Sequence, residues 1–137
     1  MRIVALIISS IFVSSCVKHD LVYFANNFEE IAKTDNTIPT LSSRLLKLRE
    51  HGECFENKCP HEVLYITVSE FGEYPDQKLY ITPKANEWQF TGWKHIPKLS
   101  EDNPTIIFTL KSTNEGIQNN ITVKANLTGI EYVNEKR

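Results

Sequence analysis

Polar and apolar positions alternate with a period of two over most of the second half of the chain. Ile121, Val123, Ala125 and Leu127 fall on one side, with Thr122, Lys124 and Asn126 on the other. Successive side chains of a strand point to opposite faces, so this is the clearest amphipathic strand in the sequence. Thr105 to Lys111 puts Ile106, Phe108 and Leu110 on one face. In Glu87 to Thr91, Trp88 and Phe90 lie opposite Glu87, Gln89 and Thr91, and Trp93 continues the aromatic series after Gly92. His61 to Ser69 is apolar on both faces, as a covered central strand is. Lys78 to Thr82 reads as a short strand ended by Pro83, which has no N–H for a central ladder.

The connections follow from the turn formers. Phe71 to Asp76 is a loop, Ala85-Asn86 a turn, and Ile96 to Pro104 a polar loop; Ser112 to Asn119 supplies a turn containing Gly116. Gly129 bends or ends the last strong strand, and Ile130 to Val133 extends it. The first half is less regular. Leu21 to Phe24 has strand composition, whereas Phe28, Ile31 and Ala32 are spaced like a helical turn, and both readings stand. Lys33 to Pro39 is a loop. Leu41, Leu45 and Leu48 recur at i, i+4 and i+7 behind a capping Thr40, which predicts one short helix or an irregular strand. Short strands joined by turn-rich loops, without βαβ units, predict a mainly β fold. The expected architecture is an antiparallel β-sandwich, immunoglobulin-like or related, with at most one or two short N-terminal helices.

The beginning of the chain breaks this pattern. Arg2 precedes an apolar run from Ile3 to Val13, interrupted only by Ser9 and Ser10. As a helix, about eleven residues rise roughly 16 Å, too short for a hydrocarbon core of about 30 Å. A positive start, a short apolar core and small residues at its end form the pattern of a secretory signal peptide. Val13-Ser14-Ser15-Cys16 resembles the lipobox of bacterial lipoproteins. The resemblance implies removal of residues 1–15, lipidation of Cys16 and acylation of the new amino terminus. Residues 16–20 would then be a short tether and residues 21–137 a single β-rich domain. Val17 stands where an Asp commonly signals inner-membrane retention, so the expected location is the periplasmic face of the outer membrane.

Charge adds little. The 137-residue chain has a net charge of −2, with Lys and Arg 15 against Asp and Glu 17. Loss of Arg2 leaves 14 against 17, or −3. No basic footprint for nucleic acid is present. The 3 cysteines matter more. With Cys16 given to lipid, Cys54 and Cys59 remain as a pair in an oxidising compartment, and a disulfide is expected. Closing so short a loop contributes about 2 kcal/mol, enough to fix local geometry. His51, Cys54, Cys59 and His61 also form a four-ligand set for zinc, but their spacing lacks the usual paired short loops. The disulfide is preferred, and neither metal nor cofactor is expected.

Catalytic motifs are missing. His61-Glu62 begins like a zinc-protease helix, but Tyr65 stands where the second His is required. There is no Gly-x-Ser-x-Gly elbow and no Gly-rich phosphate loop. The expectation is a protein that is not an enzyme and has no catalytic residues. Two sequons, at Asn120 and Asn126, read as chance in a bacterial chain, with Asn126 expected to be exposed on the polar face of its strand. The best protein-facing candidates are the acidic loop Glu70, Glu73 and Asp76 with Tyr74, and the aromatic Trp93 at a strand end.

The lipobox, the modest β domain and the stretch Arg49-Glu-His-Gly-Glu-Cys54…Cys59-Pro-His-Glu-Val63 resemble periplasmic immunity lipoproteins that neutralise type VI secretion effectors. That resemblance implies tight binding of a protein toxin beside the membrane that holds the anchor. The competing readings are an assembly lipoprotein of an envelope secretion or pilus machine, and a hydrolase inhibitor.

Overall fold

The computed structural model describes residues 22, 25–35, 40–49 and 62–135. The signal-peptide residues, Cys16, His51, Cys54, Cys59 and His61 lie outside the described residues. A short helical turn over residues 25–27 leads into eight strands. In order they are β1 (Phe28–Lys33), β2 (Ser42–Arg49), β3 (Glu62–Ser69), β4 (Gln77–Ile81), β5 (Glu87–His95), β6 (Ile106–Asn114), β7 (Ile117–Ala125) and β8 (Ile130–Asn134).

The strands form two four-stranded sheets, β1-β2-β3-β4 and β5-β6-β7-β8, with every neighbouring pair antiparallel. The expected antiparallel sandwich is therefore present. Both sheets are simple meanders, so the Greek-key crossing of immunoglobulin domains is replaced by pairing of consecutive strands.

One apolar core lies between the sheets. Leu41, Leu45, Leu64, Ile66 and Val68 line it from the first sheet, and Trp88, Ile106, Phe108, Leu110, Ile121, Val123 and Ala125 from the second. The alternating residues of β6 and β7 are the ones that alternation selected. Their burial is the main favourable term available to a sheet with one wet face.

Several expectations change in the structure. Of the two readings of Leu41 to Leu48, the strand holds and the helix does not, with Leu41 on the approach to β2. Leu45 faces the core, whereas Leu48 is buried on the opposite face beside Val63, its partner on β3. Burial on both faces of one strand imitates helical spacing. Phe28, Ile31 and Ala32 also lie in a strand, with a bulge between Glu30 and Ala32 that lets both Ile31 and Ala32 pack on the core.

The turn placed over Ser112 to Asn119 is only two residues long. Asn114 pairs with Ile117, and Glu115 and Gly116 have φ of 48° and 79°. Two successive positive φ values make a type I′ reversal, whose twist matches the strands it joins. Ile130 to Val133 does not extend β7. It returns beside it as β8, after a turn closed by Asn126 N–H donating to Gly129 O at 3.0 Å.

Among the described residues the chain passes from one sheet to the other at one corner. Beyond β4 the chain stays paired with β3: Thr82 N–H donates to Leu64 O at 2.9 Å, and Ala85 and Glu62 exchange bonds of 3.1 and 2.7 Å. One extra residue, at Pro83-Lys84, bulges out of this pairing. The next amide, Asn86 N–H, already donates to Thr113 O of β6 at 3.0 Å. The chain thus changes sheets between Ala85 and Asn86, where a turn was expected.

Candidate protein-binding loop

The loop between β3 and β4 is set by its own backbone. Ser69 and Gln77 are the last ladder pair, and Glu70 N–H donates to Asp76 O at 3.0 Å. The Ser69 hydroxyl donates to Glu70 O at 2.9 Å. Gly72 turns the chain at φ 135°, a conformation that strains any other residue. The five residues inside this closure form the tip.

That tip is open to solvent. Tyr74 is 95% exposed and Phe71 45% exposed, between the exposed carboxylates of Glu70, Glu73 and Asp76. The structure brings the four loop candidates together on one hairpin end. It also adds Phe71, which sequence reading treated as a loop boundary. The available signal was an aromatic next to a glycine, within acidic neighbours and outside any alternating stretch. Two exposed rings among charges are what aromatic anchors of protein interfaces look like before they bind.

A shallow cleft of about 470 Å³ lies beside the loop, over Ser42, Arg44, Thr67, Ser69, Gln77 and Leu79 on the outer face of the first sheet. Arg44 Nε lies 3.8 Å from Glu30 Oε2 across the neighbouring strand. The cleft is open and its lining is mixed, with hydroxyls and a guanidinium beside the apolar side chain of Leu79.

Trp93 sits elsewhere. A bulge between Phe90 and Gly92 inserts one residue into β5, so Phe90 and Trp93 face the same side despite a spacing of three. Trp93 is half-buried, 5.0 Å from the Phe90 ring and edge-on to Phe108 at 5.4 Å. It packs against the core from the second sheet, and that role accounts for its position. The loop candidates and Trp93 therefore do not form one surface element.

Three polar clusters hold the frame. Glu62 is 3% exposed, accepts a bond from Trp88 N–H at 2.9 Å, and lies 3.3 Å from Lys47 Nζ. His95 Nε2 and Glu101 Oε2 are 2.9 Å apart, and Lys98 N–H donates to the other Glu101 oxygen. The His95 hydrogen bond, followed by the Lys98 amide, holds the Glu101 carboxyl below the usual carboxylate range. Asn126 is half-buried and engaged rather than exposed: its Oδ1 accepts from Thr128 N–H, Thr128 Oγ1–H and Gly129 N–H, and its Nδ2 donates to Thr105. A sequon read from alternation alone missed that β7 ends at Ala125.

Among the described residues no group of three or more His, Cys, Asp and Glu side chains is arranged to hold a metal ion. Among them, too, no helix is long and apolar enough to cross a membrane. No protein-family model, no curated protein and no solved structure matches this chain.

Proposed function

We propose that the protein is a lipid-anchored binding protein of the bacterial cell envelope, held through Cys16, that neutralises a secreted antibacterial toxin. The observation that carries the binding role is the β3–β4 tip, where Tyr74 and Phe71 stand 95% and 45% exposed among three carboxylates. Aromatic anchors supply contact area at small entropic cost, and the carboxylates select a basic rim on the toxin and speed its approach. Anchoring raises the local concentration of the binder at the surface under attack. The polar clusters described above serve as frame elements, so the reading needs no catalytic step.

A growth competition tests the reading. Cells with the wild-type chain, a deletion, the Cys16→Ser chain, or a chain carrying Glu70→Lys, Glu73→Lys and Tyr74→Ala compete against toxin-delivering neighbours. The deletion and the loop variant are expected to lose protection. The Cys16→Ser chain is expected in the soluble fraction with its fold intact. A deletion strain as fit as wild type against every armed competitor overturns the reading.

A further inference from the structure

Strand β4 is an edge of the first sheet, and among the described residues no strand pairs with its outer side. The bonds that bracket it fix its phase. Asp76 O accepts from Glu70 N–H, and Thr82 N–H donates to Leu64 O. Even-numbered residues therefore turn their amides and carbonyls toward β3. Gln77, Leu79 and Ile81 turn theirs toward the open edge. The side chains of these residues lie on the outer face, where Leu79 is 56% and Ile81 55% exposed.

The other edges are protected in ways that β4 is not. β1 has a bulge between Glu30 and Ala32, and β5 has two. In β8, Glu135 N–H donates to Asn120 O, so Ile130, Tyr132 and Asn134 face the open edge, and the side chains of Ile130 and Tyr132 turn into the core. A regular edge with two exposed aliphatic side chains is a template for another strand.

We propose that this edge pairs with the same edge of a second copy, antiparallel about a two-fold axis through Leu79. In that register Leu79 meets Leu79 of the other copy, and Gln77 meets Ile81. Every outward amide and carbonyl of the three residues then finds a partner, because their spacing of two keeps both strands in phase. Leu79 and Ile81 of both copies form one apolar row on a continuous eight-stranded sheet. The same register sets Asp76 opposite Thr82 of the second copy, so the acidic end of each strand, with Glu73 and Asp76, meets the end that leads to Lys84, and this opposition of charge favours self-pairing over an unrelated strand. The interface is isologous, so it closes at two copies and consumes both exposed edges. It borders the binding loop but does not depend on the function proposed for it.

Cysteine crosslinking in membranes tests the register, using the full chain with its native cysteines and wild type as baseline. Residues facing each other in a hydrogen-bonded pair have Cα atoms about 5.5 Å apart, within reach of a disulfide. Leu79→Cys is expected to give a disulfide-linked homodimer, and Gln77→Cys with Ile81→Cys to do the same. Ile81→Cys alone is expected at the wild-type level, since it is offset from its copy by about 13 Å. Adding Gln77→Pro to Leu79→Cys deletes one outward amide per copy and is expected to weaken pairing about tenfold or more. Proline is tolerated at the first residue of an edge strand, so the fold survives. Leu79→Cys at the wild-type level, Ile81→Cys alone as strong as Leu79→Cys, or Leu79→Cys joined to a different protein each overturns the proposal.

Discussion

The carboxylate of Glu62, at the start of β3 in one sheet, accepts the backbone N–H of Trp88, on β5 of the other, at 2.9 Å. The same oxygen lies 3.3 Å from Lys47 Nζ. Glu62 and Ala85 also exchange backbone bonds, so one residue ties together two strands of its own sheet, the corner and the entry to the second sheet. Removing the carboxylate strands a buried amide and a largely buried ammonium. Glu62→Ala is expected to cost about 3 kcal/mol, read as a loss of urea-unfolding free energy. Glu62→Gln, which still offers an oxygen to Trp88 N–H, is expected to cost less. Equal effects of the two would show that the Trp88 bond contributes nothing.

Glu115 occupies a positive-φ position in a two-residue turn, at φ 48°. A side chain with a Cβ pays for the left-handed conformation, and asparagine tolerates it best among non-glycine residues. Glu115→Asn produces the Asn-Gly pair that type I′ turns favour. It is expected to raise stability by about 1 kcal/mol, measured as an upward shift in Tm. No gain would mean that the Glu115 side chain makes a compensating contact in the folded state.

The Tyr132 hydroxyl is buried with no hydrogen-bond partner among the described residues, and burial pushes its pKa above the ordinary value of 10.0. An unpartnered buried polar group costs about 1–3 kcal/mol in desolvation. Tyr132→Phe keeps the ring that packs on the core and deletes the cost. The expected result is a variant at least as stable as wild type. A clear loss in chemical denaturation would show that the hydroxyl has an ordered water partner.

Acid should weaken the frame through two carboxylates. Glu101 is held below its usual 4.5 by the His95 hydrogen bond first and the Lys98 amide second; Glu135 is held below it by the Lys94 hydrogen bond first and the Thr122 hydroxyl second. A carboxyl whose folded pKa is depressed binds its proton more readily in the unfolded chain. Its contribution is therefore present above the unfolded value near 4.5 and is lost as pH falls through the folded one. Melting temperature is expected to fall below about pH 4.5, and Lys94→Ala is expected to flatten part of that fall. A Tm that stays constant from about pH 6 to about pH 3 would contradict it.

The strands were legible where one face is wet. Ile106, Phe108 and Leu110 are fully buried, as their spacing required, and Thr105 to Lys111 needed no tertiary information. Legibility failed where both faces are covered, because Leu48 and Val63 bury the outer side of the first sheet and erase the period of two. It failed again at bulges, where one inserted residue moves Trp93 to the side of Phe90. The acidic tip was legible as a loop because Gly72 and Pro75 interrupt the strand pattern. The exposure of Phe71 was not, since an aromatic in a loop has no period to be measured against. The buried pair of Glu62 and Lys47 was invisible for a different reason: their meeting depends on which face β2 turns inward.

The single corner at Ala85–Asn86 divides the chain by sequence as well as by space. Among the described residues every hydrogen-bonded strand pair joins neighbours along the chain, so each half has its ladder partners in nearby segments. Each half also ends with one greasy face that only the other half can cover. Docking of the two halves is then the step that buries most of the apolar surface. Two polypeptides separated at this corner, synthesised apart and mixed, are expected to recognise one another through that shared core.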